Sequence, residues 1–215
     1  MEKTTISPLG KRFIEPFTPQ NTTIMMVDYS TGFLNSFRSH NVSEHITATV
    51  ALAKVALGFH SGFVVNLGKG QTPYPQLLQA LGDYPIIYRG GEYNALDNPQ
   101  VAEAIKKTNR PRLAIAGIST DGCVMQTALG ALRAGYEVAV VEDATAGLTR
   151  EDHDISMRRM MQAGVIPISW LGLATEFQMD WERKETAQAY FSLIAEASPG
   201  LTVSIQTEHA HMDEK

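Results

Sequence analysis

From residue 22 onward, the chain alternates between short apolar segments rich in β-favouring residues and longer segments with helical periodicity. This alternation predicts a parallel sheet with helices on both faces, because each parallel connection needs a crossover element. Six strands are predicted, at residues 22–27, 62–67, 85–88, 112–117, 137–141 and 165–169. The expected fold class is therefore α/β: a single-domain, three-layer α/β/α structure with a six-stranded parallel sheet, for which we adopt the common strand order 3-2-1-4-5-6.

The chain divides into three segments. Residues 1–20 carry three prolines and no clear period, which predicts an irregular N-terminal arm that packs on its own core or on a neighbouring subunit. Residues 21–183 hold the predicted sheet, and residues 184–215 are interpreted as a C-terminal helix and tail. Helices within the main domain are predicted at residues 46–57, 99–107, 123–134 and 151–163.

Composition and charge argue against several kinds of partner. The formal net charge is −5, from 18 basic and 23 acidic side chains, so no nucleic acid partner is expected. No apolar run approaches the roughly 20 residues that span a bilayer, so no membrane partner is expected, and we find no signal peptide. The single cysteine excludes an internal disulfide and favours a reducing compartment such as the cytoplasm.

The strongest chemical signal is the segment from Ala116 to Val124, Ala-Gly-Ile-Ser-Thr-Asp-Gly-Cys-Val. It leads from the carboxyl end of a predicted strand through a polar turn into a helix, and ligands bind at this edge of open parallel sheets. A cysteine at a helix N-terminus lies among unpaired N–H groups and the positive end of the helix dipole. We therefore expect a lowered pKa and a nucleophilic sulfur at Cys123. The alternative is a buried cysteine that acts as a small hydrophobic residue.

Asp28 directly follows an apolar strand, so its carboxylate is expected at the same edge of the sheet. In the adopted strand order, strands one and four are neighbours, and Asp28 and Cys123 face each other across the crevice. A carboxylate there would accept the thiol proton, donate it to a leaving nitrogen and later activate water. The alternative is a strand-end aspartate that caps a turn.

These motifs resemble those of the isochorismatase-like cysteine hydrolases: a hydrophobic strand followed by Asp28, then a basic residue, then Gly-x-x-Thr-x-x-Cys-Val ending at Val124. The resemblance covers most of the chain, from residue 22 to residue 181. Two further stretches resemble the YcaC-like subgroup of this superfamily. They are residues 89–98, Arg-Gly-Gly-Glu-Tyr-Asn-Ala-Leu-Asp-Asn, and residues 163–181, which run from Ala-Gly through Ser-Trp-Leu-Gly to Asp-Trp.

The resemblance implies a catalytic triad of aspartate, a basic residue and cysteine, which here are Asp28, Arg89 and Cys123. Many members have lysine at the middle position; arginine would lower the thiol pKa and steer a carbonyl, but it stays protonated, so proton transfer would depend on Asp28 alone. The alternative for Arg89 is a structural or surface ion pair. The resemblance also implies a cis peptide bond between Ile118 and Ser119, and an oxyanion hole formed by the backbone N–H groups of Ser119 and Cys123.

Two departures from the family pattern bear on the reaction. Nicotinamidase-type members carry an Asp-x-His metal motif after the second strand, whereas residues 67–73 here contain no histidine and no carboxylate. We therefore expect no metal and no cofactor; His209 and His211 are interpreted as part of a solvated tail, since a metal site needs more ligands on rigid elements. Isochorismate-cleaving members commonly lack the cysteine, so Cys123 favours acyl transfer over vinyl ether hydrolysis.

The predicted function is hydrolysis of a small-molecule substrate, an amide or a related C–N acyl compound, through a thioester intermediate. The candidate pocket residues lie on loops that follow the strands: Tyr29, Phe33, Glu92, Tyr93 and Asn94. The alternative function is a low-activity oligomeric scaffold or a thiol redox sensor, because a reactive thiol would serve that role as well. The YcaC-like resemblance further implies a homo-oligomer, with an octamer of stacked rings as the candidate form.

Overall fold

The computed structural model describes residues 13–198 and 200–204. Six strands form one sheet: β1 Thr22–Val27, β2 Gly62–Gly68, β3 Ile86–Arg89, β4 Arg112–Gly117, β5 Glu137–Val141 and β6 Ile166–Ile168. The helices are α1 Val42–Gly58, α2 Pro75–Leu81, α3 Pro99–Thr108, α4 Met125–Arg133, α5 Arg150–Gln162, α6 Trp170–Gln178 and α7 Lys184–Ala197.

All six strands pair in parallel, in the order β3-β2-β1-β4-β5-β6. The strand order adopted from the sequence is therefore confirmed. β1 and β4 are neighbours at the centre of the sheet, with Val27 opposite Gly117. Since the strand order reverses direction between them, a crevice lies outside their carboxyl ends, and Asp28 and Ile118 emerge there side by side.

Successive residues of β1 face opposite layers of helices, as the two-residue period of a strand requires. Ile24 and Met26 belong to a core shared with α1, α2, α6 and α7. Met25 and Val27 belong to a second core shared with α3, α4 and α5. β1 is buried on both faces, which explains its uninterrupted apolar sequence, and the architecture has the three predicted layers.

The helix that follows Cys123 begins later than predicted. Residues 120–124 form a wide π-type turn, and α4 begins only at Met125. Within the turn Gly122 has non-helical backbone angles, φ −99° and ψ −108°. Cys123 therefore lies in this wide turn, which leads into α4, and not in the first turn of a regular helix.

α1 begins earlier than predicted, at Val42 instead of residue 46, because Asn41 caps it. The Asn41 side chain accepts hydrogen bonds from the N–H groups of Ser43 and Glu44 at 2.9 and 3.3 Å. The sequence analysis did not predict α2 and α6, which have only seven and nine residues. Such short segments carry too little periodicity for a helix to be distinguished from a loop.

The described part of the N-terminal arm packs on the chain's own core. Phe17 is buried, its N–H donates to the Glu176 carboxylate at 2.6 Å, and the Arg112 guanidinium lies 4.9 Å from the centre of its ring. Residues 1–12 and 205–215, with His209 and His211, lie outside the described residues. The segment boundaries at residues 20 and 183 stay predictions. Among the described helices, none is long and apolar enough to cross a membrane.

Gly117 allows β4 to approach β1 closely at the point where the crevice begins. Its φ is +156°, and a Cβ atom there would lie 2.0 Å from the carbonyl oxygen of Val27. We expect Gly117→Ala to lower the free energy of unfolding by about 3 kcal/mol or more, because the two central strands would have to separate. Urea unfolding, monitored by circular dichroism, measures this change in the free energy of unfolding.

The control is Gly91→Ala, where an added Cβ would meet nothing within 4 Å. Its free energy of unfolding should stay within about 0.5 kcal/mol of the unsubstituted value. Equal stabilities of the two variants would contradict the close approach of β1 and β4.

Candidate active site

Asp28 is held at the sheet edge by β1, which it follows, and by β2. Its backbone lies in the left-handed region, with φ 56°, which aspartate tolerates better than most residues. Its N–H donates to the Asn66 carbonyl, and its Oδ1 accepts from the Gly68 N–H, both at 2.9 Å. Only 2% of the residue is exposed, so its carboxylate is fixed in a largely water-free position.

Arg89 ends β3, and its side chain reaches Asp28. It forms a buried ion pair with Oδ2 of Asp28, its Nε donates to Oδ1 of Asn66 at 2.9 Å, and its other terminal nitrogen donates to the Glu92 carbonyl. The planar guanidinium thus has three partners in different directions, which a lysine ammonium on its flexible stem would not match. Arg89 does form a structural ion pair, but the pair is buried and its partner is Asp28.

Asn66 is a residue of this site that the sequence analysis missed. It is fully buried in β2, its Nδ2 donates to the Met26 carbonyl at 3.1 Å, and its Oδ1 accepts from Arg89. It therefore orients the guanidinium toward Asp28. The sequence signal was an amide side chain inside the apolar run of residues 63–67, because a buried polar group must find partners.

Residues 119–124, here called the cysteine turn, carry Cys123 into the crevice. The peptide bond between Ile118 and Ser119 is cis. The Ser119 carbonyl accepts hydrogen bonds from the N–H groups of Gly122 and Val124 at 3.2 and 3.1 Å. The amides on either side of Cys123 are therefore engaged inside the turn.

The thiol of Cys123 interacts with Asp28 and with Arg89, so the structure brings the three predicted triad residues together. Burial, together with the charge and the hydrogen bond of Asp28, raises the pKa of Cys123 to about 12, and Arg89 opposes this only in part. Burial also raises the pKa of Asp28, against the hydrogen bond with Cys123 and the charge of Arg89.

The sequence-based expectation of a lowered thiol pKa is therefore wrong. It relied on a helix N-terminus, whereas Cys123 precedes the regular helix, is partly buried, and faces a carboxylate. Burial favours the protonated form of both groups, and Arg89, which interacts with both, opposes the rise in the pKa of Asp28 and of Cys123.

An open cleft of about 650 Å³ lies beside the cysteine turn. Its lining residues are Tyr93, Asn94, Asp97, Ser119, Asp121, Gly122, Gln126, Arg133 and Leu148. Two of the predicted pocket residues, Tyr93 and Asn94, belong to this lining. Ser119 was predicted for the oxyanion hole. The other lining residues come from the loop after β3, the turn before α4, α4 itself and the loop after β5, and were not anticipated.

The other three pocket candidates lie elsewhere. Tyr29 is fully buried, and its hydroxyl donates to the Ala144 carbonyl at 2.6 Å, so it belongs to the core and its predicted place in the pocket is wrong. Phe33 packs against the same core, and Glu92 contacts Arg89 through its carbonyl; neither lines the cleft. The aromatic residue next to Asp28 thus serves packing, which the sequence alone did not separate from substrate contact.

Across residues 13–198 and 200–204, no three His, Cys, Asp or Glu side chains converge in a way that would hold a metal ion. The histidines of the described core instead pack against aromatic rings, as His45 does against Phe37, Tyr29 and Tyr74.

Comparison with known proteins identifies the family. A model of the isochorismatase domain matches residues 22–171, most of the described sheet and its helices. The probable hydrolase YcaC of Escherichia coli is 31% identical over 162 residues, which are 74% of this chain and 78% of that protein.

Solved structures agree with the sequence comparison. YcaC from Pseudomonas aeruginosa, solved with hexane-2,5-diol and covalent acrylamide, has a TM-score of 0.85 and 26% identity over 91% of this chain and 98% of its own. The YcaC gene product of Escherichia coli, described as an octameric hydrolase of unknown specificity, has a TM-score of 0.83 and 28% identity over 89% and 97% of the two chains. The chain therefore belongs to the isochorismatase family of hydrolases, within its YcaC-like subgroup.

Proposed function

We propose that this protein is a metal-independent cysteine hydrolase that cleaves a small amide or a related C–N acyl compound through a thioester on Cys123. The observation that supports this most is the contact of the buried Asp28 with the partly buried thiol of Cys123, with Arg89 bound to the carboxylate. A carboxylate that contacts a protonated thiol is placed to act as its general base.

The first half of the reaction transfers the acyl group to sulfur. Asp28 takes the proton from Cys123 while the sulfur attacks the substrate carbonyl and forms a C–S bond. The carbonyl electron pair moves to oxygen and gives a tetrahedral oxyanion. When it returns, the C–N bond breaks, Asp28 donates its proton to the leaving nitrogen, and an amine or ammonia departs.

The second half releases the acid. Asp28, again a carboxylate, accepts a proton from water, whose oxygen attacks the thioester carbonyl. Collapse of the second tetrahedral species breaks the C–S bond, and Asp28 returns the proton to the sulfur of Cys123. Each cycle therefore consumes one water and restores the resting thiol and carboxylate.

The oxyanion is assigned to the backbone N–H groups of Ser119 and Cys123. This assignment is supported by the use of the two adjacent amides, Gly122 and Val124, as donors to the Ser119 carbonyl. A donor in such a hole contributes about 3–4 kcal/mol to transition-state stabilisation in well-studied hydrolases.

Arg89 is assigned an electrostatic role. Its pairing with Asp28 opposes the rise in the pKa of that carboxyl group that burial causes, and its contact with Cys123 favours the thiolate as it forms. Because a guanidinium does not give up its proton at neutral pH, Arg89 takes no part in proton transfer.

The relatives support a small substrate and an assembled protein. Acrylamide, the covalent group in the Pseudomonas aeruginosa structure, is a compact primary amide that reacts with thiols. The octameric Escherichia coli relative supports a homo-oligomer here, and a monomeric mass in light scattering would exclude that part of the proposal. The cytoplasm is proposed as its location on the separate ground of the single cysteine.

The alternative role, a thiol redox sensor or an inactive scaffold, is less well supported. Thiol oxidation proceeds from the thiolate, and the pKa of about 12 keeps Cys123 protonated near neutral pH. A general base that deprotonates the thiol only during attack suits a hydrolase better.

The test is release of ammonia from a panel of small primary amides and carbamoyl compounds at neutral pH. We expect turnover of at least one compound, with a covalent acyl adduct on Cys123 seen by mass spectrometry after rapid acid quench. The heat-denatured protein gives the background. Failure to turn over any compound, together with fast and reversible oxidation of Cys123 by peroxide, would replace the hydrolase proposal with the sensor.

A further inference from the structure

Thr120, the second residue of the cysteine turn, is anchored from outside the turn. Its N–H donates to the Ala146 carbonyl at 3.0 Å, and its hydroxyl lies 2.8 Å from Nδ1 of His153 on α5. Thr120 is fully buried and His153 is 2% exposed, so water does not compete for this hydrogen bond. The proposed mechanism uses neither side chain.

Glu142 lies on the other side of the imidazole. Its Oε1 is 3.7 Å from Nε2 of His153, too long for a direct hydrogen bond, and Nε2 has no hydrogen-bond partner among the described residues. The contact with His153 lowers the pKa of Glu142, so this carboxylate is ionised at neutral pH. A negative charge facing Nε2 favours the tautomer with the proton there, which leaves Nδ1 to accept a hydrogen bond from the Thr120 hydroxyl.

Other titratable groups complete the surroundings of His153. The His40 ring meets the His153 ring edge to face, with 4.8 Å between centroids, and His45 lies behind it in the core. The charges of Arg150 on one hand, and of Glu142 and Glu44 on the other, act on His40 with opposite effects on its pKa.

A second set of contacts ties His40 to the loop that holds the cysteine turn. The hydroxyl of Ser39 lies 2.9 Å from Nδ1 of His40 and accepts from the N–H of Gly147 at 2.9 Å. Gly147 is the neighbour of Ala146, whose carbonyl holds the N–H of Thr120. The two histidines therefore support both the side chain and the backbone anchors of Thr120.

We propose that His153 is a positioning residue for the cysteine turn: by accepting a hydrogen bond from the Thr120 hydroxyl, it fixes the segment that presents Cys123 to Asp28 and carries the amides of Ser119 and Cys123. This inference rests on the proposed function. Thr120 itself is no nucleophile, because its hydroxyl is buried away from the cleft. Nor does His153 touch the reacting atoms; it acts through Thr120.

The test compares His153→Asn with His153→Phe. Asparagine offers an acceptor close to the position of Nδ1, whereas phenylalanine keeps a ring of similar size without one. We expect kcat for the best amide to fall at least about 10-fold in His153→Phe with KM within about twofold, because misplacement of a reacting group lowers the rate of the chemical step. His153→Asn should retain kcat within about threefold of the unsubstituted enzyme.

A second readout needs no substrate. If the cysteine turn moves away from Asp28 in His153→Phe, the pKa of Cys123 should fall from about 12, which the ultraviolet absorbance of the thiolate reports in a pH titration. Thr120→Val should give the same shift in the thiol pKa. The double variant with His153→Phe should show no larger shift than either single variant, since both substitutions remove the same hydrogen bond. His60→Asn, at an exposed histidine with φ 53°, should change neither readout.

The outcomes separate this inference from the proposed function. An unchanged thiol pKa in His153→Phe would overturn the positioning role, whether or not any amide is hydrolysed. Equal losses in His153→Asn and His153→Phe, in step with a lowered melting temperature, would also overturn it and leave a purely structural histidine. A shifted thiol pKa with no hydrolysis by the unsubstituted protein would instead overturn the hydrolase and keep His153 as the support of the turn.

Discussion

Replacing Cys123 with alanine is expected to lower kcat/KM for the best small amide by about 10³-fold or more, while the fold is retained. The substitution removes the sulfur that would form the thioester, and Asp28 with backbone donors would leave only weak residual catalysis. The side chain lost is small and only partly buried, so the melting temperature should change little. Ammonia release and thermal unfolding on the same preparations measure both effects.

Cys123→Ser provides the matched control, because it keeps the shape of the side chain and a hydroxyl in place of the thiol. Its activity should fall nearly as far, since a hydroxyl is much harder to deprotonate than a thiol, and no thioester should be trapped after acid quench. Amide hydrolysis by Cys123→Ala at the unsubstituted rate would show that the reaction does not pass through sulfur, and would remove the covalent mechanism.

Asp28→Asn is expected to lower both the rate of hydrolysis and the pKa of Cys123. Hydrolysis should fall about 10²–10⁴-fold, because the proposed general base and acid is lost. The pKa of Cys123 should fall from about 12, because the neighbouring negative charge that raises it has been removed while Arg89 remains. A variant with a lower thiol pKa and a lower rate of hydrolysis would show that Asp28 transfers protons and does not act only by changing the amount of thiolate.

Asp143→Asn is the control for that variant. Asp143 is also a partly buried carboxylate that follows a strand, with a pKa raised by burial to about 6, but it accepts a hydrogen bond from the N–H of Trp170 at the start of α6. Asparagine keeps that acceptor, so neither hydrolysis nor the thiol pKa should change. If Asp28→Asn and Asp143→Asn lowered hydrolysis equally, the loss would reflect general damage to the sheet edge.

Much of the site could be predicted from the sequence, because the strands that position its residues follow from local hydrophobic patterns. The apolar run of residues 22–27 that ends in Asp28, and the strand that leads into residues 118–123, each predict a polar group at a strand end. Parallel pairing then brings those ends to one edge of the sheet, and the confirmed strand order makes β1 and β4 neighbours. Arg89 was named through its resemblance to the family pattern, and its ion pair with Asp28 is consistent with that choice.

The sequence by itself therefore determined the six strands and the strand ends at which Asp28 and Cys123 lie, since hydrophobic periodicity and chain direction are local properties, whereas the short helices α2 and α6 were missed. Only the tertiary structure decided the sign of the thiol pKa shift, the burial of Tyr29, and the support of Arg89 by Asn66 and of Thr120 by His153. Each of these depends on a contact between residues distant in the chain, or on how much water a folded core excludes. No periodicity within a segment records such contacts, because electrostatic and desolvation effects act through space and not along the chain.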